Sequence, residues 1–145
     1  MTDTPAPPAV SPASPAAPSA SLISTTLLTY ALFGVAAVVA LVAHGLVFVA
    51  PLGGIIGIVA IILAYVKRGD AAGTWLASHY RWLIRTFWFS VLWWVIGGII
   101  FWVLLIIVIG PIIAVGIWLA TTIWVLYRLI RGYLLFKDSQ PVPGM

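Results

Sequence analysis

The chain has 145 residues, 63% of them hydrophobic and only 7% charged, against about 45–50% and about 25% in soluble domains. Seven Lys/Arg and three Asp cannot clothe a globule of this size in water, so a water-soluble monomer is excluded and lipid is the expected solvent. Cysteine is absent, which excludes disulfides and thiolate metal sites, and a net charge of +4 in so apolar a chain points to membrane orientation and anionic lipid, with no nucleic acid partner.

Residues 1–21 are rich in Pro, Ala and Ser. Pro5, Pro7, Pro8, Pro12, Pro15 and Pro18 remove backbone donors, and the segment has too little apolar surface to offset its ordering. A disordered tail is expected. It is not a secretory signal, because Asp3 stands where the basic region would be and the next apolar stretch is too long. From Leu22 to Val66 there is no formal charge unless His44 is protonated. A single helix of that length would reach about 67 Å, against a hydrocarbon core of about 30 Å. The length therefore demands two spans. His44-Gly45 resembles a helix end and Pro51 suits a first turn, which places spans near 24–44 and 51–68, the second closed by Lys67-Arg68-Gly69.

The central segment follows. Asp70 can cap a short interfacial helix over 71–80. On it Trp75, His79 and Trp82 recur at i, i+4, i+7 as an aromatic-rich stripe, and Arg81 and Arg85 form an i, i+4 pair. Indoles at the interface and guanidiniums on phosphate suit the headgroup layer. These five residues are the candidate lipid or partner contacts, with a plain interfacial anchor as the alternative.

A second charge-free run extends from Thr86 to Tyr127 and again needs two spans, divided at Gly110-Pro111. The expected helices cover 81–109 and 111–136, followed by a flexible tail over 137–145. The predicted fold is thus an all-α integral membrane protein of four transmembrane helices, arranged as two helical hairpins with a short interfacial helix between them. Lys67, Arg68, Arg81, Arg85, Arg128, Arg131 and Lys137 then all lie on one face. Positive-inside logic makes that face, and both termini, cytoplasmic in a bacterial inner membrane.

Helix contact is legible as well. Gly53 and Gly57 are followed by Ala60 and Ala64 at the same spacing, and Gly116 and Ala120 offer another small pair. Small residues let backbones approach where lipid provides no hydrophobic drive. Internal packing is expected there, with a homodimer seam as the alternative.

No Asp or Glu falls within a predicted span, and no P-loop, G-x-S-x-G or H-E-x-x-H motif occurs. Intramembrane chemistry usually needs ionisable groups, so neither enzyme activity nor a cofactor is expected. Ser90, Thr121 and Thr122 are expected to bond back to preceding carbonyls. A structural or accessory role through helix packing and cytoplasmic lipid or partner contact is the leading expectation. A small channel or transport component is the alternative.

The stretch AYVKRGDAAGTWLASHYRWLIRTFWF, residues 64–89, resembles small bacterial inner-membrane proteins of unknown function. That group is distantly similar to the channel-subunit family of the Tic translocon in the chloroplast inner envelope. The shared pattern is a basic end to the second span, a short loop, and a His-x-basic motif leading into an aromatic, filled here by His79, Arg81 and Phe87. The resemblance implies four spans and cytoplasmic ends.

Overall fold

The computed structural model describes residues 17–43, 50–104 and 109–143. Among these residues the chain is all-helical, with no strand: α1 is Ala20–Val42, α2 Ala50–Lys67, α3 Leu76–Leu104 and α4 Ile109–Lys137. Helices α1, α3 and α4 are long and apolar enough to cross a membrane, and α2 is shorter and apolar. The 18 residues of α2 rise about 27 Å, close to the hydrocarbon thickness, whereas the 29 residues of α3 and of α4 rise about 44 Å and overshoot it. His44 and the first expected turn lie outside the described residues, as does the segment 105–108.

Three boundaries differ from expectation, each for a local reason. First, α1 begins at Ala20 rather than 24. Ser19 caps it by accepting from the Leu22 amide at 3.3 Å. The hydroxyls that follow bond back along the helix: Ser24 to the Ala20 carbonyl, Thr25 to Ser21 and Thr26 to Leu22. A polar Ser/Thr run becomes helical once its own hydroxyls are satisfied inside the turn.

Second, there is no separate interfacial helix over 71–80. Residues 71–75 form turns, and one continuous helix runs from Leu76. Asp70 does not cap it, because its carboxylate pairs with Lys67 at 2.8 Å. Gly73 turns the chain at φ 77°, and Thr74 supplies the cap, its hydroxyl accepting from the Leu76 amide at 3.2 Å. No glycine or proline separates Tyr80 from Arg81, so nothing stops the helix where it meets the membrane.

Third, the segment after α4 does not fray through its described part. Ser139 adopts a left-handed φ of 52°. The Gln140 amide bonds the Leu135 carbonyl at 2.9 Å and the Ser139 amide bonds Phe136 at 3.0 Å. That pair of bonds is a Schellman cap. It reverses the chain and leads Val142 into a buried position, 3% exposed. At the other end of α4 the Gly110-Pro111 pair lies in the first helical turn rather than before it, where the missing proline donor is harmless.

The most extensive packing is of α3 on α4 and of α1 on α2, with further contacts of α1 with α4 and of α2 with α3. The small-residue stripe of α2 is internal. A Cβ on Gly53 would sit 3.2 Å from the Ala36 carbonyl oxygen of α1, Gly57 approaches Ala36 and Phe87, and Ala60 and Ala64 are fully buried. That face is occupied by α1, so it is not free for a second copy. Gly116 and Ala120 do not follow: Gly116 has nothing within 4 Å of its missing Cβ, and both residues are exposed. The close approach of α3 and α4 falls at Gly97 instead, where the Trp118 indole lies against the glycine and stacks on Trp94 at 5.2 Å.

Burial is inverted relative to a soluble protein. Trp102 and Ile112 are 72% and 73% exposed, while Thr26, Thr29, Ser78, His79, Thr86, Thr121 and Thr122 are buried. Outward apolar side chains with inward, internally bonded polar ones are what lipid selects. Thr121 and Thr122 bond back to the Ile117 and Trp118 carbonyls at 2.7 and 2.9 Å, and Ser90 to Phe87 at 2.7 Å, as the sequence leads one to expect.

Replacing Gly53 by Leu is predicted to lower stability by about 1–3 kcal/mol, since the clash is with backbone that cannot rotate away. Gly116→Ala should be neutral, because its surroundings are open. Thermal unfolding of the two variants in detergent, followed by near-UV circular dichroism, checks this pair.

Candidate functional site

The core lies towards one end of the bundle. Leu22, Tyr30, Phe33, Ala64, Leu76, Tyr80, Leu83, Leu129 and Phe136 pack there, joining the start of α1, the end of α2, the start of α3 and the end of α4. This is also the end that carries the basic residues. On α3 the buried face is Leu76, His79, Tyr80, Leu83 and Thr86, a helical spacing of i, i+3, i+4, i+7 that continues one residue further than the apolar pattern alone.

His79 is at the centre of this end and is 0% exposed. Its Nδ1 lies 2.9 Å from the Tyr30 hydroxyl of α1, and its Nε2 lies 2.8 Å from the backbone carbonyl of Gln140, beyond α4. A carbonyl only accepts, so Nε2 carries the hydrogen; the neutral ring then accepts at Nδ1 from the Tyr30 O–H. Trp75, Phe136 and Tyr30 enclose the imidazole at centroid distances of 5.4, 5.8 and 6.0 Å, all edge-on. A second bond fastens the same turn: the Val142 amide donates to Ser78 Oγ at 3.0 Å. Beside it, Thr26 and Tyr80 are hydrogen-bonded to each other at 2.9 Å, both fully buried. Three elements distant in sequence are thus clasped around one ring.

The clasp has no open valence for a substrate, because both imidazole nitrogens are taken. His79 therefore leaves the set of lipid or partner contacts and becomes a packing residue, while Trp75 is half-buried against the core. Trp82, Arg81 and Arg85 remain at the surface, but in different company. The Trp82 indole donates to the Arg128 carbonyl at 3.1 Å, and the Arg128 guanidinium lies 3.6 Å over the Trp82 ring and 5.0 Å from that of Trp124. Arg128 Nε donates to Thr86 Oγ1 at 2.8 Å. Arg85 lies over Phe89 at 5.8 Å, and Phe89 meets Trp124 edge-on at 6.3 Å. Arg81 is exposed, one turn nearer the start of α3.

Gly132 stands between the two groups. A Cβ there would meet the Tyr30 hydroxyl at 2.7 Å and Trp82 Nε1 at 3.1 Å. Only a bare backbone lets α1 and α3 bring those two polar tips to α4 together.

Tyr30, Thr26, Gln140, Arg128, Trp124 and Gly132 are the residues that sequence reasoning does not single out. For two of them a signal exists: Trp124, Arg128 and Arg131 repeat the i, i+4, i+7 spacing already visible in Trp75, His79 and Trp82. Among the described residues no group of three or more His, Cys, Asp or Glu could hold a metal ion. No family model matches this chain, and neither a curated protein nor a solved structure is found similar to it.

Tyr30→Phe removes the donor to Nδ1 and leaves a buried acceptor unsatisfied, at a predicted cost of about 1–3 kcal/mol, measured by denaturant unfolding in detergent. Nitrogen-15 NMR of the imidazole should show hydrogen on Nε2 and none on Nδ1 near neutral pH. The opposite tautomer would contradict the clasp.

Proposed function

We propose that this is a non-enzymatic, four-span protein of a bacterial inner membrane, built as two helical hairpins with the basic end in the cytoplasm, and that its role is structural or accessory. The observation that carries this reading is the gathering of every lysine and arginine at one end of an otherwise uncharged bundle. Lys67 and Arg68 close α2, Arg81 and Arg85 open α3, and Arg128, Arg131 and Lys137 lie along the last turns of α4. The pairing of Trp82 with Arg128 and of Trp94 with Trp118 supports α3 and α4 as antiparallel neighbours, and Tyr30 and Gln140 tie α1 and the chain beyond α4 to His79.

The physical role follows from where binding capacity remains. Among the described residues the buried threonine, serine and histidine side chains are hydrogen-bonded within the chain, which supports a surface role. That surface is apolar along the helices and cationic at one end, a pattern suited to anionic headgroups on the cytoplasmic leaflet or to a membrane partner presenting acidic groups there.

Single cysteines report the orientation in intact cells. At Ser19 and Ala77 they should be shielded from a membrane-impermeant thiol reagent, and at Leu52 one should be labelled. Labelling at Ser19 and Ala77 with protection at Leu52 would sink the topology and the cytoplasmic contact together.

A further inference from the structure

We propose that the α3–α4 seam at the basic end is a binding site for the phosphate of an anionic membrane lipid, formed by Arg85, Arg128 and Arg131 beside Trp82 and above a floor of Phe89 and Trp124. The inference rests on the orientation argued above and deepens it from a general attraction to a defined site.

The seam is a continuous ladder. Trp82, Arg85 and Phe89 share one face of α3 at i, i+3, i+7, and Trp124, Arg128 and Arg131 share one face of α4 at i, i+4, i+7. The rungs touch: Arg85 lies over Phe89, Phe89 against Trp124, and Arg128 over both Trp124 and Trp82. The charges of Arg85 and Arg131 both act on Arg128. Among the described residues the one ion pair is Lys67 with Asp70, and none of their carboxylates pairs with this trio.

Arg128 is held ready to bind. Its ring stacking and the Nε bond to Thr86 fix the plane of the guanidinium, while its Nη atoms make no hydrogen bond to the described residues. A guanidinium already immobilised loses little further freedom on pairing with an oxyanion, and its planar fork matches phosphate. Arg85 and Arg131 are exposed on either side, positioned to close on the same anion. Three adjacent cations without a counterion repel one another, and an anion converts that repulsion into attraction.

The floor favours a lipid over a soluble anion. Phe89 lies four residues further along α3 than Arg85, about 6 Å deeper, and is 40% exposed. Trp124 occupies the matching place on α4. A ligand with a phosphate above and acyl chains below meets both halves of the seam, whereas free phosphate meets only the guanidiniums.

The test uses the full chain, delipidated in a mild detergent and titrated with phosphatidylglycerol or phosphatidylcholine, with bound lipid counted by native mass spectrometry. Arg85→Gln and Arg131→Gln, both on exposed side chains, are each expected to weaken phosphatidylglycerol binding about tenfold. Arg68→Gln and Lys137→Gln remove the same charge at the same end away from the seam, and should weaken it by less than about twofold. Inorganic phosphate should fail to displace the lipid. Equal losses in all four variants would overturn the site and leave the broader attraction to anionic lipid standing. No preference for phosphatidylglycerol over phosphatidylcholine in the unaltered protein would overturn both. Full displacement by inorganic phosphate would assign the seam to a soluble anion and overturn the lipid assignment.

Discussion

A polar ring shut inside a helical bundle in lipid has no water to fall back on, so each of its nitrogens must find a partner within the chain. His79 meets this condition with the Tyr30 hydroxyl on one side and the Gln140 carbonyl on the other. Much else at this end of the molecule follows from those two bonds. They require α1 to reach α3 at Tyr30. They require the chain after α4 to turn back sharply, which the left-handed Ser139 and its Schellman bonds achieve. They also require a glycine at position 132, where any side chain would intrude on Tyr30 and Trp82.

The two halves of the bundle are stabilised differently. At the clasped end, large aromatics and bonded polar groups interlock, and a lost hydroxyl leaves an unsatisfied acceptor. Elsewhere the contacts are those of backbone and small side chains, Gly53 against Ala36 and Gly97 beneath Trp118. Dispersion between closely approaching surfaces replaces the hydrophobic drive that lipid cannot supply. Towards the far end of α3, side chains such as Ile99, Trp102 and Val103 face outward, and the neighbouring lipid is their packing partner.

The helix count and rough extents were legible because they depend only on length and charge: two uncharged runs, each too long for one crossing. What remained hidden depends on which element lies opposite. Asp70 has the right type for a cap, but Lys67 three residues earlier captures its carboxylate, and the cap passes to Thr74. Gly116 and Ala120 have the spacing of a packing stripe but face outward, because α3 approaches α4 along a different line, through Gly97. His79 reads as part of an interfacial stripe with Trp75 and Trp82. Its position between Leu76 and Leu83 on the buried face of α3 decides otherwise. Arg128 and Trp124 repeat a spacing already noted on α3, yet only the pairing of the two helices shows that they complete one surface.

The Gln140 carbonyl that satisfies His79 comes 61 residues later, on the far side of all of α4. During synthesis α3 is made well before that acceptor exists, and its imidazole then has one of its two partners at most. As the first three helices are inserted one by one, α1 can pack on α2, but the His79 end lacks the carbonyl that completes it. Completion of this end must wait for α4 and the turn beyond it, so the order of translation sets the point at which His79 and Ser78 gain their last partners.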